Sequence, residues 1–158
     1  MLDANGVSLP MSVSLKIAEL TDIEELMPLI RELYLIEGVT SPEDRTRSAL
    51  IKLLGDSSLG VVLEIWSEGA LAGHVILTYG YDIEYGGRDA WITDFYVRPD
   101  FQGRGVGTQA LKLLEEMAKA RGVCALHLMV YHTNLRAKGV YLRSGFEPNP
   151  RVAMVKIL

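Results

Sequence analysis

The stretch "FYVRPDFQGRGVGTQAL", Phe95 to Leu111, leaves a β-rich run, breaks at Pro99, sets three glycines within five positions and continues as a helical pattern. A strand that turns straight into a helix presents unpaired backbone N–H groups at the helix N-terminus, where the macrodipole also favours negative charge. Gly103, Gly105 and Gly107 remove Cβ atoms, so backbone N–H groups can approach an anion closely, and Arg104 adds positive charge beside them. The turn therefore reads as a phosphate site, and the rest of the chain is read around it.

The two commonest nucleotide patterns do not fit. A Rossmann spacing started at Gly103 needs glycine where Thr108 stands, and it fails again from Gly105; the strand "CALHLMVYH" also ends without the acidic residue that holds a ribose. No Lys followed by Ser or Thr comes after the glycines, which removes the P-loop. A nucleotide-binding protein is the weakest of three readings.

Upstream, Ser14 to Glu19 reads as a short alternating first strand. "TDIEELMPLIRELYLIEG" follows as a helix with Thr21 as N-cap and Gly38 as its stop. A second helix spans about Pro42 to Leu54 and closes near Gly55. "LGVVLEIWS" and "ALAGHVILTYG" form a hairpin about Glu68 and Gly69, and Gly86–Gly87 makes a second turn before the strand "AWITDFYV". A helix covers about Gly105 to Arg121. "VCALHLMVY" reads as a strand buried on both faces, a helix from about Asn134 to Ser144 is capped by Thr133, and "RVAMVKIL" supplies a last strand.

Composition agrees with one folded unit. The chain has 158 residues, 49% of them hydrophobic, enough for a sizeable core. Residues 1–13 read as an N-terminal extension and 14–158 as a single domain. A net charge of −4 gives no general attraction to nucleic acid. No apolar run approaches the roughly 20 residues of a bilayer span, so a cytoplasmic protein with no membrane or nucleic-acid partner is expected. The single Cys124, inside an apolar run, reads as a buried thiol. His74 and His127 are isolated in strand patterns, without a metal-ligand partner at useful spacing.

Gln102, Gly105 and Gly107 match the pattern of Gln or Arg, two residues, Gly, one residue, Gly or Ala. With "ITDFYVRPDFQGRGVGTQAL" followed by "NLRAKGVYLRSGF", the chain resembles the GNAT superfamily of acetyl-CoA-dependent N-acetyltransferases. The resemblance implies an α/β fold: a mixed, mostly antiparallel sheet whose central strands splay apart, flanked by about four helices. It implies acetyl-CoA as cofactor, with the backbone amides of Gln102, Gly103, Arg104, Gly105, Val106, Gly107 and Thr108 on its pyrophosphate. Phe95, Tyr96 and Val97 would pair like a strand with the pantetheine arm, and the amide near Val97 would polarise the thioester.

Asn134, Ala137 and Tyr141 fall on one helical stripe. In the family reading this stripe is a groove for the acyl-pantetheine chain, with Tyr141 as the general acid on the departing sulfur. Direct transfer to an amine is expected, since Cys124 reads as buried and no serine stands in a nucleophile turn. The base stays open. Thr93 stands where many relatives have glutamate, and strand alternation sends the neighbouring Asp94 to the opposite face unless a bulge intervenes. A water chain from Thr93 and His132 are the other candidates.

The acceptor rim has candidates in Glu32, Tyr34 and Glu37 on the first helix and in the acidic hairpin Tyr79 to Tyr85. That hairpin suggests a small cationic amine or a lysine side chain, and the glycine segment looks somewhat like the diamine acetyltransferase branch. Relatives of this kind often dimerise, which keeps a homodimer among the expectations. The competing class is a coenzyme A binding module or sensor with little transferase activity.

Overall fold

A computed structural model describes residues 12–158, so most of the N-terminal extension lies outside the described residues. Five strands form one sheet in the order β1-β2-β3-β4-β5: β1 (Val13–Ile17), β2 (Gly60–Ser67), β3 (Ala70–Asp82), β4 (Gly87–Val97) and β5 (Ala125–Leu128). The first three pairings are antiparallel and β4–β5 is parallel. Four helices accompany them: α1 (Ile23–Glu37), α2 (Glu43–Gly55), α3 (Val106–Ala120) and α4 (Leu135–Arg143). This is the splayed, mostly antiparallel α/β architecture that the sequence predicts.

The side-chain alternation of β2 explains the layers. Val61, Leu63 and Ile65 join Val75, Leu77, Ala90 and Ile92 under α3, whose Val106, Ala110, Leu111, Leu114 and Ala118 complete that core. Val62 and Ile76 face the other way and pack with Leu26, Met27 and Ile30 of α1 and Leu50 of α2. β2 and β3 are thus covered on both sides, which is why their sequences read as continuous apolar runs. Deleting a fully buried side chain such as Leu63 or Leu111 would cost about 2–5 kcal/mol.

Turn chemistry sets the register. Glu68 and Gly69, at φ 53° and 79°, make the two-residue hairpin that closes Ser67 on Ala70. Gly38, at φ 68°, caps α1 as predicted. The start of α1 differs: Leu20–Asp22 form a 3₁₀ turn before the α-helix, with Glu19 and Asp22 exchanging side-chain-to-backbone bonds. That reciprocal box satisfies the free N–H groups that Thr21 was expected to satisfy. Likewise Asn134, not Thr133, caps α4, its Oδ1 accepting from Ala137 N at 3.1 Å.

Three further expectations are corrected. β5 is short and only half-buried, because β4 covers one edge while Met129 and Tyr131 beyond it lie exposed. Residues 151–158 form no strand: Val152, Met154, Val155, Ile157 and Leu158 are exposed, and Arg151 instead grips Glu84 through two bonds of 2.8 and 2.9 Å. Without a ladder partner an apolar segment has no reason to extend as a strand. Cys124 is exposed rather than buried, since it precedes β5 and its thiol reaches the Arg88 carbonyl at the sheet's rim.

Candidate active site

One irregularity in β4 builds the site. Leu77 pairs with Ile92 but Ile76 pairs with Asp94, so Thr93 is an extra residue in the ladder. This β-bulge resets the alternation. Ile92 and Phe95 both join the α3-side core, whereas Asp94 and Tyr96 face α1. The condition for bringing Asp94 to the α1 side is therefore met, and Thr93 settles at the surface with its hydroxyl 3.4 Å from the Ile76 carbonyl.

The same strand also opens the sheet. β5 pairs with β4 only from Asp89 to Ile92, leaving Thr93 to Val97 bonded to β3 alone. Arg98 N donates to Ala72 O at 2.8 Å. Successive N–H groups of a strand point to opposite sides, so that of Val97 points into the gap. Gln102 Nε2 caps the Val97 carbonyl at 2.7 Å, and Arg136 of α4 holds Gln102 Oε1 at 2.8 Å. These two bonds fasten β4 to α4 across the opening.

After a 3₁₀ turn at Pro99–Phe101, the Gln102 N–H is spent on Pro99 O, which leaves the run from Gly103 to Thr108 without backbone acceptors among the described residues. Gly103 and Gly105 take φ of 75° and 81°, the left-handed region that side chains disfavour. At Gly107 a Cβ would meet Phe95 and Val97 only at the ordinary contact distances of 3.7 and 3.8 Å, so packing alone does not require glycine there. Buried Val106 anchors the first turn of α3. Six free N–H groups at the head of a 15-residue helix, beside Arg104, form a strong anion cradle.

α4 supplies the third wall. Tyr141 packs edge-on against Phe95 and Phe146, with centroids 6.3 and 5.8 Å away. Burial, reinforced by the Glu37 charge, pushes its phenol up to about 12. Ala137 is half-buried on the same stripe, and Asn134 keeps its amide nitrogen free while its oxygen caps the helix.

Acidic groups converge on this mouth. Burial and then the Asp94 charge raise Glu37 above the usual carboxylate range, and burial, Asp94 and Glu37 together raise Tyr34. Asp94, Glu37, Tyr34 and Tyr141 therefore share one electrostatic neighbourhood. Glu32 lies apart from that set, bonded to the buried Tyr96 hydroxyl at 2.7 Å; burial and that carboxylate push the phenol up to about 12. In the hairpin, Glu84 is taken by Arg151 and Asp82 accepts the Glu84 N–H at 2.8 Å. Cys124 lies near Arg88, six residues down β4 from Asp94, about 20 Å away at strand rise. It has no place at the gap.

Residues 23–146 match the Acetyltransferase (GNAT) family. The chain belongs to that family. It is an N-acetyltransferase, hence an acyltransferase. A thialysine N-epsilon-acetyltransferase of Bos taurus is 30% identical over 141 residues, covering 84% of this chain and 83% of that protein. A crystal structure of an integron cassette protein, HFX_CASS3, from the mobile metagenome of Cole Harbour Salt Marsh superposes with a TM-score of 0.80 at 33% identity. It covers 91% of this chain and 90% of that one. An aminoglycoside N-acetyltransferase in complex with CoA shares the fold, with a TM-score of 0.78 at 18% identity over 96% and 98% of the two chains.

The sequence motifs located the turn and the α4 stripe in this acetyltransferase. They gave Glu37 only a rim role, and they gave His74 none, although its imidazole lies 3.6 Å from Asp94. The alternation of β3 puts His74 and Ile76 on one face, but only the β4 bulge reveals that Asp94 shares it.

Proposed function

We propose that this acetyltransferase moves the acetyl group of acetyl-CoA onto the primary amine of a small cationic acceptor, by direct attack while both are bound. The single observation that carries the reading is that Glu37 feels the charge of Asp94 and acts in turn on Tyr141, whose ring packs on Phe95 of the strand that borders the β4–β5 gap. Acids there attract an ammonium group, and the gap ends at the anion cradle.

The cradle fits coenzyme A on its own geometry. The unpaired N–H groups of Gly103 to Thr108 would meet a pyrophosphate, the free edge of Phe95 to Val97 would meet amide groups, and the Asn134 amide nitrogen would serve the same arm. Bound acetyl-CoA supplies the thioester carbonyl and the thiol leaving group. The Val97 N–H would stabilise negative charge developing on that carbonyl. Asp94 would take the proton that an alkylammonium, with a pKa of about 10.4, must lose before it can attack. Glu37 would hold the acceptor's charge at the rim.

Tyr141 would face the leaving group. A phenol held near 12 remains protonated at every working pH, so it can always donate a hydrogen bond. Full transfer to a thiolate of ordinary pKa, about 8.5, would be uphill by about 5 kcal/mol. Its first role is therefore a hydrogen bond to the sulfur as charge builds.

Thialysine and spermidine head the acceptor panel, the first because a 30%-identical relative is a thialysine N-epsilon-acetyltransferase, the second because a Bacillus subtilis relative is a spermine/spermidine N(1)-acetyltransferase. Calorimetric titration with acetyl-CoA, beside ATP and NAD, followed by turnover on that panel, tests the proposal. Selective acetyl-CoA binding with turnover that falls about 10²-fold or more in Asp94→Asn supports it. Binding without turnover on any amine would favour the coenzyme A sensor.

A further inference from the structure

Behind Asp94 a row of ionisable side chains crosses four strands beneath α1. Lys16 of β1 pairs with Glu64 of β2, its Nζ 3.2 Å from Glu64 Oε2 and 3.1 Å from Asp22 Oδ2. Glu64 stands directly opposite His74 of β3, a relation that brings Cβ atoms within about 4.5–5.5 Å. His74 Nε2 lies 3.6 Å from Asp94 Oδ2 on β4.

Glu64 and His74 are both fully buried. Glu64 Oε2 also accepts from Trp66 Nε1 at 2.8 Å, while Glu64 Oε1, both His74 nitrogens and Asp94 Oδ2 are buried without a hydrogen-bond partner. Four such atoms in sequence are costly to a fold, and their neighbours on the same face, Val62 and Ile76, show that apolar side chains pack there. The groups facing His74 are Glu64 from β2, with Asp94 and the Tyr96 ring, 5.9 Å away, from β4. Over this face α1 packs Leu26, Ile30 and Leu33. Its acids are engaged elsewhere, Glu32 with the Tyr96 hydroxyl and Glu37 near Asp94.

The reaction has a proton to dispose of. An ammonium and a thioester become a neutral amide, a thiol and one free proton. We propose that the row Asp94, His74, Glu64, Lys16 is the exit for that proton, through the back of the sheet. The inference rests on Asp94 being the base. Asp94 takes the proton from the ammonium nitrogen and passes it to His74 Nε2, as His74 Nδ1 gives its proton to Glu64 Oε1. The Lys16 ammonium releases one proton to solvent, and the amine it leaves takes the proton held on Glu64. Return of the imidazole to the tautomer protonated at Nδ1 resets the row. Lys16, half-exposed at the sheet edge, is the outlet, and His74 and Glu64 act through Asp94 as positioning and relay residues.

The test compares His74→Gln, Glu64→Gln and Lys16→Met with Asp94→Asn, using acetyl-CoA and thialysine, or spermidine where thialysine does not turn over. Steady-state constants, coenzyme A affinity, melting temperature and the dependence of kcat on the D₂O fraction are measured. The wild type should give a bowed isotope plot, the mark of several protons in flight. His74→Gln and Glu64→Gln should lower kcat at least about tenfold, straighten that plot, and leave coenzyme A affinity unchanged. Lys16→Met should lower kcat in the same direction.

Should His74→Gln fail to fold, Glu64→Gln, which keeps the bond from Trp66, and the surface change at Lys16 decide. A folded Glu64→Gln with wild-type kcat and a bowed plot overturns the exit while leaving Asp94 in place. Wild-type turnover in Asp94→Asn instead refutes the base assignment, and the exit falls with it.

Discussion

Tyr141→Phe separates the hydroxyl from everything else that Tyr141 does. The ring stays edge-on to Phe95 and Phe146, so packing between α4 and β4 survives, and the change removes one oxygen. A hydrogen bond to a charged group contributes about 1.5–3 kcal/mol, so losing one that forms as the thiolate develops should lower kcat by about 10- to 10²-fold. Coenzyme A affinity should not change. The same substitution has an independent signature in stability. Burial, with Glu37, raises the folded phenol from 10.0 to about 12, a gap of about 2.7 kcal/mol at 1.36 kcal/mol per unit. Because the folded value is the higher one, that contribution is intact below pH 10 and is lost as pH rises through 12. By pH 11.5 about 2 kcal/mol of it should be gone. Urea unfolding of both proteins at pH 8 and pH 11.5 should show the wild type losing about 2 kcal/mol more than Tyr141→Phe. An unchanged kcat removes Tyr141 from the chemistry. Equal alkaline losses mean that the phenol is not the buried, Glu37-facing group described above.

Other substitutions probe the frame around that site. Gly73→Ala would drive a Cβ into the Tyr96 carbonyl, rigid backbone on the strand that carries Asp94, so a loss of about 3 kcal/mol or more is expected by thermal melting; a wild-type melting temperature would contradict the close β3–β4 approach. Gly105→Ala, at φ 81°, should cost about 1–2 kcal/mol and weaken acetyl-CoA binding by calorimetry, whereas Gly107→Ala meets only ordinary contacts at 3.7 Å and should not destabilise the fold. Equal stability of the two variants would refute the left-handed turn. Asp22, whose carboxyl the Glu19 N–H and then Lys16 hold below the usual range, contributes stability above its ordinary value that is lost as pH falls through the lowered one. The gap of about 1 kcal/mol between wild type and Asp22→Ala at pH 6 should therefore close toward pH 2; a constant gap means the cap does not titrate.

Local chemistry was legible in the sequence wherever a residue's role is set by its chain neighbours. Glu68–Gly69 announces a two-residue hairpin because both positions need positive φ, and Gly103 with Gly105 announces a turn for the same reason. What failed depended on partners distant in sequence. "VCALHLMVY" and "RVAMVKIL" look alike as apolar β-formers, yet Ala125–Leu128 finds β4 and residues 151–158 find no strand. Cys124 carries the composition of its run but not its burial, because the strand begins one residue later.

Asp94, the proposed base, was the hardest residue to place, and the reason is a single extra residue. Period-two alternation over Trp91 to Phe95 assigns Asp94 and Ile92 to the same face. Thr93 breaks that period, and with it Ile92 stays in the core while Asp94 swings toward α1. No property of Thr93 itself declares a bulge; the partner ladder of β3 does, since Ile76 and Leu77 are consecutive and their partners are not. Once the face is known, the companions of Asp94 follow without further assumption. Glu37 arrives from the last turn of α1, and His74 from two residues before Ile76 on β3, followed across β2 by Glu64. The substitution of threonine for the family glutamate therefore need not cost the enzyme its carboxylate: the bulge moves the next residue into reach, and the pH dependence of Asp94→Asn against Thr93→Glu would show which side chain now takes the proton.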